Sequence, residues 1–148
     1  MSTYIQSIYH IVYSTKHRDP CLAGPNRVHL YKYIWGTLNN KKCHLYRIGG
    51  VEDHIHILTH LHPTIALSAL IKDIKMASNG FIKKQKLFPH FRGWQEGYGA
   101  FSCSFDQKNQ LIEYVKAQEE HHKKVSFRDE FIALLNENGI DFEEKYLL

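Results

Sequence analysis

The chain has 148 residues and a formal net charge of +4, from 19 lysines and arginines against 15 aspartates and glutamates. A chain of this length can build a proper core, and we expect a single domain over residues 1–148. Its three cysteines are widely spaced and form no CxxC pair, which argues against a disulfide framework and a structural zinc site. The sequence has no signal-peptide pattern and no apolar run long enough for a membrane span, so we expect a cytoplasmic protein without a membrane partner.

The first half of the chain predicts one strand, one helix and two further strands. Residues 4–14 are rich in β-branched and aromatic types, as strands are. Apolar residues recur at three- and four-residue steps over 28–38 and predict an amphipathic helix. Residues 43–48 and 51–60 predict an antiparallel pair of strands joined by a turn at Gly49 and Gly50.

The second half begins with a long helix. Thr64 is its expected N-cap, and its apolar positions run from Ile65 to Phe81. Residues 87–99 contain aromatics, glycines and a proline without periodicity, which predicts a functional loop. Residues 100–105 then predict a fourth strand.

Two C-terminal helices complete the predicted architecture. Asp106 is the expected N-cap of a helix over 107–122, and the spacing of Ser126 and Asp129 predicts the start of a last helix that Gly139 ends. The resulting order is β-α-β-β-α-β plus C-terminal helices, an α+β, ferredoxin-like (RRM-like) fold. Its antiparallel sheet carries helices on one face, and we expect the helix from residue 107 to cover the other face.

The stretch VEDHIHILTH, residues 51–60, places two histidines on one side of a strand. Successive strand side chains point to opposite faces, so His54 and His56 point one way and Ile55 points the other. On the helix over 107–122, Tyr114 and Gln118 are four residues apart and share one face. If that face meets the strand, two imidazoles and a carboxamide oxygen converge, with a tyrosine hydroxyl one helical turn away.

This combination of residue types indicates metal-assisted chemistry on phosphorus. Imidazole and carboxamide ligands suit a divalent ion such as Mn²⁺ or Mg²⁺ better than a structural zinc. An ion with an open coordination position can polarise a phosphate, and a tyrosine beside it can act as a covalent nucleophile.

The chain resembles the HUH single-tyrosine transposases of the insertion sequence 200/605 group. The resemblance is carried, in chain order, by HIVYSTK at 10–16, the His54-Ile55-His56 pair, WQEGYGAFS at 94–102, the Tyr114-x-x-x-Gln118 spacing and QEEHHKKVSFRDEF at 118–131. It covers nearly the whole chain.

The resemblance implies a fold, a reaction and partners. Members of this group are homodimers that bind hairpins at the ends of an insertion sequence and cut and rejoin single-stranded DNA. By resemblance, Tyr114 is the catalytic nucleophile and forms a 5′-phosphotyrosine link, and the Mg²⁺ or Mn²⁺ ligands are His54, His56 and Gln118. In this group the tyrosine helix of one chain can pack against the histidine pair of its partner. Tyr114 is therefore expected to act either beside His54 and His56 of its own chain or beside those of a second chain.

Further residues are predicted to contact DNA. The candidate phosphate contacts are Lys16, Arg18, Arg47, Lys75, Lys83, Lys84 and Arg92. Trp94 and Tyr98 either stack on bases or pin their loop to the core. His121 and His122 are expected to contact DNA or to help close the site.

Two other functions remain open from the sequence. A decayed relative would bind structured single-stranded nucleic acid without cutting it, although all four motif residues are present. A metal-dependent hydrolase of small phosphate esters would form no covalent tyrosine adduct and would not depend on DNA hairpins.

Overall fold

The structure is a computed structural model and describes residues 2–147. The strands are β1 (Ile8–Ser14), β2 (Leu45–Gly50), β3 (His54–His60) and β4 (Gly99–Cys103). The α-helices are α1 (Arg27–Asn40), α2 (Leu67–Gln85), α3 (Lys108–Lys116), α4 (Gln118–His121) and α5 (Phe127–Glu137). The predicted α+β class and the order β-α-β-β-α-β with C-terminal helices are confirmed.

The four strands form one antiparallel sheet in the order β2-β3-β1-β4. In the register of the two central strands, Val12 lies opposite His56 and Ser14 lies opposite His54. Directly opposed residues project from the same face, so the alternation along β1 and β3 sorts the sheet into two chemically different sides.

One face of the sheet packs against α1 and α2. The strands contribute Ile11, Tyr13, Ile55 and Ile57, and the helices contribute Leu30, Ile34, Leu38, Leu70, Ile71, Ile74 and Ile82, all at most 1% exposed. The α1 residues recur every four positions and so form one stripe. Burying each such side chain is worth about 1.5–3 kcal/mol relative to leaving it exposed, so this layer supplies the main core.

The opposite face is covered by the C-terminal helices. A smaller apolar cluster there joins Val12 and Phe101 of the sheet to Phe127, Leu134 and Leu135 of α5. The α3 helix also packs on this face, where Val115 is fully buried beside Gly49, so the prediction that the helix from residue 107 covers it is confirmed, but that helix is not continuous. It breaks at Ala117 into α3 and α4, while backbone hydrogen bonds from Ala117 to Glu113 and from His121 to Ala117 keep the two pieces joined.

The two neighbouring glycines do not form the turn predicted for them. Gly49 and Gly50 belong to β2, and the turn lies at residues 51–53, so β3 begins at His54. A Cβ at Gly49 would lie 2.5 Å from the carbonyl oxygen of Val115. Gly49 is therefore explained by the close approach of α3 to the sheet rather than by turn geometry.

Several predicted boundaries also shift. The first strand begins at Ile8, because residues 2–7 have no sheet partner, and the fourth ends at Cys103. Thr64 does not cap α2: the helix starts at Leu67, and the Thr64 hydroxyl bonds to His62 Nδ1 at 2.7 Å.

The capping of the C-terminal helices was predicted in part. The cap before α3 is Ser104 rather than Asp106, in a reciprocal capping box with Gln107. Ser126 caps α5 as predicted, and Gly139 follows its end with a positive φ of 67°.

Cys21, Cys43 and Cys103 are free thiols. Within residues 2–147, no helix combines the length and apolar character that crossing a membrane requires.

Candidate functional site

The site is built on β3, where His54 and His56 are both fully buried on the face covered by the C-terminal helices. Each imidazole is held from behind through its Nδ1 atom. His54 Nδ1 lies 2.7 Å from Asp53 Oδ1, and His56 Nδ1 lies 2.8 Å from His10 Nε2. A ring fixed in this way presents its Nε2 atom in a set direction, which is the usual support of a metal-binding histidine.

The break between α3 and α4 positions the predicted helix residues beside these rings. Gln118 is 1% exposed, and its Oε1 lies 3.4 Å from His54 Nε2. Tyr114 stands one turn earlier, with its ring centroid 5.8 Å from that of His56. The structure therefore brings together the four residues that the sequence predicted as ligands and nucleophile.

At the centre of this group lies Glu130 of α5, which is 2% exposed. Its Oε1 lies 2.9 Å from His122 Nε2, 3.0 Å from His56 Nε2 and 3.3 Å from His54 Nε2. Its Oε2 accepts hydrogen bonds from the Tyr114 hydroxyl and from Gln118 Nε2, the latter at 3.1 Å. One carboxylate thus contacts every predicted member of the site.

The donor set fits a divalent metal ion. One ligand atom from each of His54, His56, His122 and Glu130 lies within 4.8 Å of the others. Metal–nitrogen bonds of about 2.1 Å require ligand atoms about 3.4 Å apart in a tetrahedral site, so small side-chain shifts close the cluster. His121 Nε2 also approaches Oε2, at 3.3 Å, so three side-chain atoms surround each oxygen of Glu130. A carboxylate has about four lone-pair positions, which is too few for these six neighbours. A cation bound among the rings would instead accept the lone pairs of their nitrogen atoms.

Burial and the carboxylate set the charge state of the two strand histidines. Burial lowers the pKa of His56 to about 4 despite its contact with Glu130. Burial also lowers the pKa of His54, but hydrogen bonds to Asp53 and Glu130 outweigh it and leave the pKa raised. For Glu130, burial opposes ionisation, yet the histidine contacts hold the pKa well below its usual range.

The nucleophile candidate is held in its protonated form. Burial raises the pKa of the Tyr114 hydroxyl, and the hydrogen bond to the Glu130 carboxylate raises it further. A neighbouring cation acts in the opposite direction on such a hydroxyl.

A cleft of about 430 Å³ lies beside the cluster and reaches it at His122. Its walls include Asp53 and His122 from the site and Arg18 from the loop after β1. In that loop His17 and Arg18 both have positive φ, 59° and 56°. Two consecutive left-handed residues other than glycine are uncommon and place the Arg18 side chain at the cleft wall.

The predicted DNA-contacting lysines and arginines are dispersed. Arg18 lines the cleft beside the site, and Arg47 lines a separate hollow of about 250 Å³ that reaches Gln118. Lys16 and Arg92 line a third hollow, of about 640 Å³. Lys83 and Lys84 are exposed at the end of α2, on the opposite side of the sheet from the histidines.

The aromatic loop after α2 is pinned to the core. Trp94 is 9% exposed, and its indole nitrogen donates to Ser78 Oγ at 3.0 Å, so this side chain follows the second of its two predicted roles. Lys75 donates to the backbone carbonyls of residues 95–97 and lies 4.9 Å from the centre of the Tyr13 ring. Tyr98 is 39% exposed, so its ring is accessible.

Sequence reasoning missed Glu130 and His10 and left the role of His122 open. A glutamate in the first turn of a capped helix has an ordinary explanation in the helix dipole, so its spacing carries no signal of burial. His10 stands on a different strand from His56, and only the register of β1 against β3 brings the two rings together.

A profile of the family described as Transposase IS200 like matches residues 3–118. The chain belongs to the IS200-like transposase family. Among solved structures, it is similar to a candidate transposase from Deinococcus radiodurans R1, at 21% identity and a TM-score of 0.61, over 80% of this chain and 95% of that one. It is also similar to a REP-associated tyrosine transposase bound to a REP hairpin, at 15% identity and a TM-score of 0.62, over 84% of this chain and 76% of that one.

At these identities the two structures show a shared fold. No curated protein matches the chain. Membership of the IS200-like family establishes a transposase role for this chain.

Proposed function

We propose that this IS200-like transposase cleaves and rejoins single-stranded DNA at insertion-sequence ends through a 5′-phosphotyrosine intermediate on Tyr114. The observation that supports this most directly is the position of the Tyr114 hydroxyl. It shares the Glu130 carboxylate with two buried histidines whose Nε2 atoms face the same point. A purely structural tyrosine would not need such a cluster beside its hydroxyl.

The chain's own residues account for the reaction. The Tyr114 oxygen attacks the scissile phosphorus, the bond from phosphorus to the 3′-oxygen breaks, and the departing 3′-oxygen takes a proton from solvent. The hydroxyl proton passes to an acceptor, and Glu130 Oε2 is the acceptor already bonded to it. Attack of a 3′-hydroxyl on the phosphotyrosine reverses these steps and rejoins DNA. One ester replaces another, so no ATP is consumed.

His54, His56 and Gln118 would hold Mg²⁺ or Mn²⁺ beside the hydroxyl. When bound, such an ion supplies Lewis-acid polarisation of a phosphate oxygen. Asp53 and His10 keep the two rings oriented for this task.

Single-stranded DNA with hairpin ends is the proposed partner. The REP-associated relative is described as bound to a REP hairpin, and the folds correspond. Arg18 and Arg47 line hollows that reach site residues and are the best-placed phosphate contacts, and Lys16 and Arg92 extend the basic surface. Lys75, Lys83, Lys84 and Tyr98 stay as predicted DNA contacts of lower priority, whereas the Trp94 side chain packs in the core. A homodimer is also proposed, although one chain already brings Tyr114 to its own histidines.

The test is to incubate the protein with Mn²⁺ or Mg²⁺ and single-stranded oligonucleotides from the flanks of its own gene. We expect a covalent adduct on a denaturing gel, mapped to Tyr114 by peptide mass. Hairpin binding without an adduct, with both ions and both flanks, would overturn the cleavage proposal in favour of a binding protein. Hydrolysis of small phosphate esters with neither adduct nor DNA binding would overturn it in favour of a hydrolase.

A further inference from the structure

We propose that Glu130 and His122 are ligands of the divalent ion and that Glu130 also holds the nucleophile, so that one carboxylate links metal loading to the position of Tyr114. This inference rests on the proposed function. It extends the ligand set beyond His54, His56 and Gln118 to two residues of the C-terminal segment. Both lie outside the profile match, which ends at residue 118, although the QEEHHKKVSFRDEF stretch includes them.

The imidazoles of the cluster converge on one oxygen of Glu130. Three imidazole Nε2 atoms, from His54, His56 and His122, lie 2.9–3.3 Å from Glu130 Oε1. Asp53 already holds His54 through Nδ1, so Nε2 is the ring atom that faces this oxygen. A cation among the three nitrogens and the oxygen would have all four atoms as ligands. His122 contributes as fully as the two strand histidines.

The two oxygens of the Glu130 carboxylate have different partners. Oε1 faces the three nitrogens, whereas Oε2 accepts from the Tyr114 hydroxyl and from Gln118 Nε2. A carboxylate can bind an ion through one oxygen and accept a hydrogen bond through the other. Glu130 would thereby hold the phenol oxygen beside the ion.

The types of ligand in the cluster favour one kind of ion. Three imidazoles, one carboxylate and the Gln118 carboxamide oxygen suit first-row transition ions, whereas Mg²⁺ prefers an all-oxygen ligand set and keeps several waters. The complete set therefore favours Mn²⁺ over Mg²⁺, a choice that the ligands predicted from the sequence left open.

The burial of the carboxylate excludes a simpler explanation. Surface glutamates often pair with nearby histidines, but Glu130 is 2% exposed, and no lysine or arginine is among its contacts within residues 2–147. An ionised carboxylate in such a place requires compensating charge. A divalent ion bound at Oε1 would supply that charge.

The experiment measures Mn²⁺ binding to the metal-free full chain, without DNA, by isothermal titration calorimetry. Glu130→Gln keeps the shape of the side chain but removes the anionic ligand, and His122→Asn removes the added imidazole. We expect each variant to bind Mn²⁺ at least about 10²-fold more weakly, because losing a ligand costs more than losing a supporting residue. Asp129→Asn, an exposed neighbour on α5, is the matched control and should bind like the unmodified chain.

Circular dichroism and a thermal melt show which variants are folded. Unchanged Mn²⁺ affinity in folded Glu130→Gln, or equal affinity for Mg²⁺ and Mn²⁺ in the unmodified chain, overturns the inference. If Glu130→Gln does not fold, His122→Asn decides the ligand question and Glu130→Asp tests the link. The shorter Asp side chain cannot serve both the ion and Tyr114.

The link to the nucleophile has its own readout. At saturating Mn²⁺, folded Glu130→Gln should form the Tyr114 adduct at least tenfold more slowly while its hairpin affinity is unchanged. An unchanged adduct rate overturns the link. Absence of any adduct in the unmodified chain, with metal binding as expected, overturns the proposed function and leaves the metal site standing.

Discussion

The two faces of the sheet are equally buried but chemically opposite. Toward α1 and α2, the two central strands present Ile11, Tyr13, Ile55 and Ile57, and toward α3–α5 they present His10, Val12, Ser14, His54 and His56. Burial of the apolar first face stabilises the fold by itself. Burial of the polar second face stabilises it little, because buried polar groups cost about 1–3 kcal/mol each when left unpaired. Its hydrogen bonds keep groups in position, so one face supplies stability and the other supplies chemistry.

The sharpest test of this contrast is Tyr114→Phe. The change removes one hydroxyl from the polar face and leaves the main core intact, so we expect complete loss of covalent adduct with hairpin binding retained. A gel assay for the adduct and a binding titration measure both. Tyr33→Phe, on the helix across the sheet, is the control and should cleave normally. Residual strand transfer by Tyr114→Phe would remove this residue from its proposed role.

His56→Ala extends the test to the ligands. Loss of a buried imidazole from the cluster should reduce Mn²⁺ affinity and cleavage together by at least about 10²-fold, more than removing a supporting residue does. Calorimetry and the adduct assay report the two effects. His60→Ala, at the partly exposed end of the same strand, is the control. Normal Mn²⁺-dependent cutting by His56→Ala would refute the ligand assignment.

Ile57→Ala is the counterpart on the apolar face. Ile57 is fully buried, and truncation of such a side chain costs about 2–5 kcal/mol of unfolding free energy. Urea denaturation should show this loss, while the Mn²⁺ affinity of the folded fraction stays unchanged. Ile140→Ala, at a side chain 41% exposed, should cost far less. Equal losses from the two variants would contradict the assignment of this face as the core.

Gly49→Ala tests the contact that seats α3 on the sheet. A Cβ there meets the Val115 carbonyl oxygen at 2.5 Å, and overpacking of this kind costs about 1–3 kcal/mol. Because α3 carries Tyr114, we expect slower adduct formation together with a lower melting temperature. Gly36→Ala, in open space on α1, is the matched control and should be neutral or slightly stabilising. Wild-type adduct rates in Gly49→Ala would show that the seating of α3 does not matter.

The smallest effect is expected for Gln118→Ala. A bound ion can replace a carboxamide oxygen with water, so cleavage should fall several-fold rather than vanish. Gln85→Ala, exposed at the end of α2, provides the comparison in the same adduct assay. A complete loss in Gln118→Ala would make this ligand as essential as the histidines.

The sequence alone determined the local patterns. Alternation along β3 predicted that His54 and His56 share one face of the strand, and four-residue spacing predicted that Tyr114 and Gln118 share one face of a helix. The order of elements predicted the α+β class. All of these signals are short-range, because strand and helix periods are properties of neighbouring residues. Boundaries near Gly49 and Thr64 were predicted wrongly, because a close tertiary contact and a local hydrogen bond fixed them instead.

The tertiary structure alone decided the centre of the site. Glu130 has the same local pattern as any glutamate in the first turn of a helix, and His10 that of any strand histidine. Their roles arise because α5 packs across the sheet and β1 pairs with β3 in one register. The Glu130 carboxylate contacts three imidazoles and a phenol only because elements far apart in sequence bury it. No residue spacing within one element predicts that burial.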